Sequence, residues 1–263
     1  MNIHHISSLD LPDLEPYRTL RRPQEHIRKG IFVAEGDKVV MRLLDSGLSV
    51  LSLLLTPEWL DALSLKYSLD TPDIYVADRK LLETIVGYRL HQGIMAVAGV
   101  PEEPSLSVVM RTLPGPFVLV ALDGIVSAEN VGVVVRNCAA FSVQGIISGP
   151  TSASPYLRRA VRNSMGAVFR IPVFHSTSLV QTLLSIRPAC RIIGASPQGP
   201  IDIRKANLSG NLCVIFGNEG SGISEDVACC CDQVIAIPMA NNTDSLNVAS
   251  ASAVFLYELM RRQ

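Results

Sequence analysis

Three short polar segments of this 263-residue chain carry side chains whose types and spacing could do chemistry. The first runs from Asp123 through Ser127-Ala128-Glu129-Asn130-Val131-Gly132 to Arg136. Asn130, Gly132 and Arg136 stand at a helix start, and Gly132 and Arg136, four apart, share a helical face. An arginine within Val133-Val134-Val135-Arg136-Asn137-Cys138 reads as a buried cation, which needs an anionic partner. The partner is a structural carboxylate or a substrate phosphate, and we favour the phosphate. Asn130 alone is equally well explained as the helix N-cap.

The second segment is Phe216-Gly217-Asn218-Glu219-Gly220-Ser221-Gly222-Ile223, after the apolar run Leu212-Cys213-Val214-Ile215. Its glycines permit positive φ or close backbone approach, and a tight turn alone would also explain them. Glu219 either caps the following turn or pairs with Arg136. The third segment follows Val234-Ile235-Ala236 and holds Ile237-Pro238-Met239 and Ser245-Leu246-Asn247-Val248. Ser245 is either an N-cap or a hydroxyl facing a ligand at a helix N-terminus. A fourth patch, Tyr156 to Arg170, places Arg158 and Arg162 one helical turn apart with Arg159 between them. It reads as a phosphate-contacting edge or as a solvated helix face.

Several chemistries are excluded. Neither G-x-G-x-x-G nor G-x-x-x-x-G-K-[ST] occurs, so the usual dinucleotide and phosphate-loop signatures are absent. No His–Asp pattern accompanies a serine, and the five histidines are scattered. The six cysteines lack paired spacing, so we expect no metal site and no disulfide framework. Cys229-Cys230-Cys231 reads as free thiols. No apolar run is long enough to span a bilayer and the first twenty residues lack an apolar segment, so we expect a cytoplasmic protein without membrane association.

The elements that must hold these segments follow from periodicity. Before the boundary at Val100-Pro101-Glu102-Glu103-Pro104-Ser105 we expect helices over 39–46 and 80–86 and strands over 50–55, 74–77 and 94–98. After it we expect strands over 117–122, 145–147, 191–195, 212–215 and 234–236, and helices over 130–141, 179–186 and 246–262. Such alternation argues for an α/β fold with a mostly parallel sheet, and ligands bind in loops at the strand ends of such sheets. The domains are then 1–104 and 105–263. Charge divides with them: up to Val108 there are 11 Lys+Arg against 15 Asp+Glu, and from Val109 onward 12 against 9, all but one of the later cations arginine. That balance permits a nucleic-acid partner without requiring one.

Together the segments resemble the SpoU-type RNA 2′-O-ribose methyltransferases of the trefoil-knot (SPOUT) superfamily. The family's N-x-G-x-x-x-R matches Asn130, Gly132 and Arg136. Its second motif matches Phe216 to Gly220 with Gly222, and its third Ile237-Pro238-Met239 and Ser245 to Val248. Asn163-Ser164-Met165-Gly166-Ala167 resembles its S-x-G-A segment. The match covers roughly residues 117 to 260; each motif is weak alone, and the three in order are specific. Arg28 to Gly36 and His91-Gln92-Gly93 are similar to a ribosomal-protein-like RNA-binding domain fused ahead of the catalytic one.

The resemblance implies a deep C-terminal trefoil knot, a homodimer formed through the C-terminal domain, and S-adenosyl-L-methionine as cofactor. It implies methyl transfer to a ribose 2′-hydroxyl of RNA, with ribosomal RNA favoured by the front domain. Transfer RNA, a base methylase and a non-catalytic RNA-binding protein are the alternatives, and an unrelated nucleotide-binding enzyme is disfavoured by the missing phosphate-loop signatures. The implied catalytic set is Arg136, Asn130, Glu219 and Ser245. The cofactor would contact Phe216, Gly217, Asn218 and Gly220, then Ile237, Pro238 and Met239, then Ser245, Leu246 and Asn247. RNA contacts are expected at Arg18, Arg21, Arg22, Arg28 and Lys29, and at Arg158, Arg159 and Arg162. The family gives the motif arginine the proton-accepting role; a guanidinium with a pKa above about 12 suits phosphate binding better.

Overall fold

The computed structural model describes residues 2–70, 72–86, 93–241 and 243–262. His91 and Gln92 lie outside the described residues. Two compact units form, Met1–Glu102 together with Tyr156–Phe169, and Glu103–Pro155 together with Arg170–Gln263.

The front unit begins with β1 (Asn2–His5), α1 (Glu15–Arg18), α2 (Pro23–Arg28), β2 (Ile31–Glu35) and α3 (Asp37–Leu44). It continues with β3 (Val50–Leu55), α4 (Pro57–Ser64), β4 (Asp73–Val76), α5 (Arg79–Val86) and β5 (Ile94–Gly99). The sheet order is β1-β4-β3-β5-β2. β1, β4 and β3 run parallel, while β5 is antiparallel to β3 and β2. Leu14, Tyr17, Val33, Leu54, Leu82 and Met95 build its core. The buried Tyr17 hydroxyl is matched with Ser52 Oγ at 2.9 Å, as a buried polar group requires.

The second unit opens with α6 (Leu106–Thr112), β6 (Val118–Asp123), α7 (Ala128–Ala140) and β7 (Gly145–Ser148). The chain then enters the front unit for α8 (Arg158–Asn163) and returns to β8 (Val173–His175), α9 (Leu179–Ile186), β9 (Arg191–Ala195) and β10 (Ile201–Asp202). It closes with β11 (Leu212–Gly217), α10 (Glu225–Ala228), β12 (Gln233–Ala236) and α11 (Val248–Arg262). All seven strands are parallel, in the order β10-β12-β9-β11-β6-β7-β8. β6 and β11 are buried along their whole length, as continuous apolar runs in a covered parallel sheet should be.

From β6 the chain steps to β7 and β8 on one side, then crosses to β9, β11 and β12 on the other. This reversal is a topological switch point, where open α/β sheets bind ligands. Its register matters: Gly217 pairs with Asp123, which sets the ends of the first two polar segments side by side. No helix among the described residues is long and apolar enough to cross a membrane.

Two helix starts differ from expectation. Ser127, not Asn130, caps α7, its Oγ accepting the Asn130 amide at 3.2 Å. α11 begins at Val248, and Asn247 Oδ1 accepts the Ala249 amide at 2.8 Å, so Ser245 lies in the loop before the helix. In both cases a polar residue next to the true boundary resembles a cap in sequence, and the backbone decides which oxygen meets an orphan amide.

Candidate active site

A cavity of about 420 Å³ opens beyond the C-terminal ends of β9, β11 and β12. The glycine loop from Phe216 to Gly222 forms one wall. Ile237, Met239 and residues 244–248 form another, and Ala251 and Phe255 of α11 reach in from the helix. Phe216 and Phe255 meet edge to face at 5.8 Å between ring centres. This gives the polar loops an apolar backing.

Gly217 has no room for a side chain. A Cβ there would lie 2.3 Å from Gly222 C and 2.3 Å from Ile223 N. The backbone closes on itself through Asn218 N to Gly222 O at 2.8 Å and the reciprocal bond at 2.9 Å. The Asn218 side chain shapes the turn between them: Oδ1 accepts from Gly220 N at 2.9 Å and Ser221 N at 3.0 Å. Its Nδ2 donates to Gly124 O at 2.7 Å, tying the loop to the end of β6. The buried Asp123 accepts from Ser224 N at 2.7 Å on the far side of the same loop. The glycine loop is therefore a rim of the cavity held in shape by its own backbone bonds, by Asn218 and by Asp123.

Asn130 joins the three segments. Its Nδ2 donates to Glu219 Oε1 at 2.9 Å, and its Oδ1 accepts from Asn247 Nδ2 at 3.2 Å. One turn pair further along α7, Asn137 Nδ2 donates to Ala249 O at 2.8 Å and Ser252 Oγ at 2.9 Å. Asn130 and Asn137 thus lie on one face of α7 and pin the start of α11, which holds residues 244–248 against the glycine loop.

Nine of the ten expected cofactor residues line the cavity, Pro238 being the exception. Asn218 lines it with an amide already engaged in shaping the loop. Among the expected catalytic residues, Glu219 and Ser245 line the cavity and Asn130 holds Glu219. Arg136 does not line it. The expectation of a buried guanidinium is corrected: Arg136 is exposed and makes no hydrogen bond or ion pair among the described residues. α7 buries Val131, Val134, Val135 and Cys138, while Ala139 and Ala140 beside Arg136's turn are exposed. Glu219 takes Asn130 as its partner, not Arg136.

The structural-carboxylate alternative applies instead to the fourth patch. Arg158 and Arg162 both pair with Glu35, whose side chain is 8% exposed, and Arg158 itself is only 16% exposed. Arg159 is exposed. In the front unit Arg18, Arg21, Arg22, Arg28 and Lys29 are all exposed around α1 and α2. Arg22 pairs with Glu25 at 3.2 Å, and Lys29 with Glu15, whose carboxyl that hydrogen bond holds below its ordinary range.

Ala195 and Ser196-Pro197-Gln198 after β9 also line the cavity and were missed by sequence reasoning. The signal was present, because the strand over 191–195 was legible and its C-terminal loop obeys the same rule as the other two. The thiols stand apart from this chemistry. Burial pushes the Cys190 thiol up to about 12 and the Cys231 thiol up to about 11, and it raises Cys138 and Cys213 as well. No His, Cys, Asp or Glu cluster among the described residues could hold a metal ion.

Comparison with known proteins gives this geometry a context. The model of the SpoU rRNA Methylase family matches residues 117–257. An uncharacterized tRNA/rRNA methyltransferase of Mycobacterium tuberculosis is 30% identical, over 99% of this chain and 93% of its own length. The 23S rRNA (guanosine-2'-O-)-methyltransferase RlmB of Shewanella oneidensis is 31% identical, over 72% of this chain and 78% of its own. The crystal structure of an AdoMet-bound rRNA methyltransferase from Sinorhizobium meliloti superposes with a TM-score of 0.85 at 24% identity, covering 98% of each chain, and this likeness concerns the fold.

Proposed function

The chain belongs to the SpoU rRNA methylase family, and from that premise we propose that it transfers a methyl group from S-adenosyl-L-methionine to a ribose 2′-hydroxyl of structured RNA. Ribosomal RNA is the substrate class this reading favours. The observation that carries it is the cavity at the switch point, walled by a glycine loop with no room for a side chain at Gly217 and braced by the hydrogen bonds of Asn130 to Glu219 and from Asn247. A cavity of this size, lined by the apolar Phe216, Ile237, Met239, Leu246 and Phe255 and by a few polar residues, fits a nucleoside-bearing cofactor. In this reading the closing segment forms the family's trefoil knot, the front unit grips RNA through α1 and α2, and the protein works in the cytoplasm.

When bound, S-adenosyl-L-methionine supplies an electrophilic methyl carbon on a sulfonium. The chain must place a ribose oxygen in line with that carbon, at about 3–3.5 Å, and dispose of the hydroxyl proton. Glu219 stands at the cavity with one carboxylate oxygen fixed by Asn130, so the other is oriented to accept that proton. Ser245, which also lines the cavity, orients the ribose. Arg136 binds the adjoining phosphate, a task suited to a planar, permanently charged group.

Arg136 is absent from its own chain's cavity, and a homodimer supplies the missing geometry. α11 packs against α7 and leaves Val254, Tyr257 and Met260 exposed, with Phe141 against Tyr257 at 6.3 Å. A second copy covering this surface would bury that apolar area and carry Arg136 into the partner's cavity. The test mixes two inactive variants, Arg136→Ala and Gly217→Val. Shared sites predict about a quarter of wild-type activity, because half of the dimers are mixed and each has one complete site. No recovery would refute a shared site. Loss of a ribose methylation mark in total RNA from a deletion strain tests the reaction itself, and a lost base methylation would overturn it.

A further inference from the structure

A second cavity, of about 500 Å³, lies in the same unit beside β7 and β8, away from the glycine loop. Its floor is apolar: Leu106 and Met110 of α6, Phe174 of β8 and Ile186 of α9. It is also lined by the hydroxyl residues Ser107, Ser176, Thr182 and Ser185; Ser176 Oγ and Thr182 Oγ1 bond each other at 2.7 Å and Ser185 Oγ donates to Thr182 O at 2.7 Å, which leaves acceptor lone pairs for a ligand. Glu103 also lines it; its carboxylate accepts from the His175 backbone N–H at 2.9 Å and lies 2.9 Å from His175 Nδ1. Arg111, near the end of α6, is exposed at the cavity and makes no hydrogen bond or ion pair among the described residues.

One unmatched guanidinium, a hydroxyl lining and an apolar floor in a cavity of nucleotide size form a combination that an RNA enzyme does not need for its fold. We propose that this cavity is a nucleotide subsite outside the methyl-transfer site, an inference that rests on the RNA reading above. Arg111 takes a phosphate through its planar fork. The base lies over Met110 and Leu106, and the sugar hydroxyls meet the Ser and Thr oxygens. β8 is three strand spacings from β11, roughly 14 Å at about 4.8 Å each. The cavity reaches the C-terminal end of β8 at His175 and Ser176, on the same edge of the parallel sheet as the first cavity, so a single strand along that edge would approach both within a few nucleotides.

The test uses the full chain with Arg111→Glu and Ser185→Trp, the second filling the cavity from the exposed face of α9. The probes are a fluorescently labelled mixed-sequence RNA of about twelve nucleotides, uridine 5′-monophosphate and S-adenosyl-L-methionine. Both variants should bind the RNA about tenfold more weakly, and Arg111→Glu should lower the salt slope of binding by about one. S-adenosyl-L-methionine affinity should be unchanged. Loss of uridine monophosphate binding with RNA affinity intact would assign the subsite to free nucleotides. Both probes bound within twofold of wild type by both variants would overturn the proposal. A wild-type protein that binds neither RNA nor S-adenosyl-L-methionine would instead be a failure of the underlying reading.

Discussion

Replacing Asn218 by alanine tests whether the rim of the first cavity is preorganised by one side chain. The substitution removes three hydrogen bonds, from Gly220 N, from Ser221 N and to Gly124 O. Gly220 and Ser221 are exposed, so water re-solvates their amides, and each bond contributes near the lower limit, about 0.5 kcal/mol. The Gly124 carbonyl is half-buried, and losing its donor costs about 1–1.5 kcal/mol. The reciprocal Asn218–Gly222 backbone bonds survive, so the total of about 2–2.5 kcal/mol is an upper figure for the cost of re-forming the loop around a ligand. At about 1.4 kcal/mol per tenfold, S-adenosyl-L-methionine should bind Asn218→Ala more weakly by up to about 30- to 60-fold. Isothermal titration measures this directly, and circular dichroism should show the fold intact. An affinity within threefold of wild type would refute the idea that this amide organises the binding rim. Asn218→Asp is the sharper control: it keeps the acceptor and turns the donor toward Gly124 O into a repulsion, so it should bind more weakly still.

Two further outcomes follow from the same geometry. Gly217→Ala places a Cβ 2.3 Å from backbone atoms of Gly222 and Ile223, so the loop must shift; overpacking of this kind costs about 1–3 kcal/mol, and thermal denaturation together with cofactor titration should both register it. For the cysteines, burial holds Cys231 near 11 and Cys190 near 12. Thiolate increases with pH, so at pH 8 these thiols remain protonated. Iodoacetamide followed by mass spectrometry should label the exposed Cys229 first, and labelling of buried Cys213 at comparable speed would contradict the packing.

Eight of the twelve strands among the described residues, and about half of the helices, were legible because their apolar periodicity is local; β1, β2, β8 and β10 and the short helices α1, α2, α4, α6 and α10 were not. The runs 50–55, 179–186 and 191–195 coincide with β3, α9 and β9, and the continuous run before Asp123 is a fully buried strand. The front sheet's antiparallel β5 and the insertion of α8 into the front unit were not legible, since strand direction and the destination of a crossover depend on contacts distant in sequence. The fourth patch shows the same limit. Arg158 and Arg162 looked like phosphate ligands, and only folding brings Glu35 to them from more than a hundred residues away.

What the sequence determined by itself was the inventory: three polar segments at the ends of buried strands, with an asparagine, a glutamate and close-packing glycines in a family-specific order. These are local properties of residue type, spacing and strand-end position. The tertiary structure decided which of them meet. Parallel pairing of β11 with β6 sets Gly217 beside Asp123, and the packing of α7 against α11 brings Asn130 to both Glu219 and Asn247. The same helix turns Arg136 outward, because the side of α7 that faces the core is selected by its neighbours in space and not by the hydrophobicity of its own sequence.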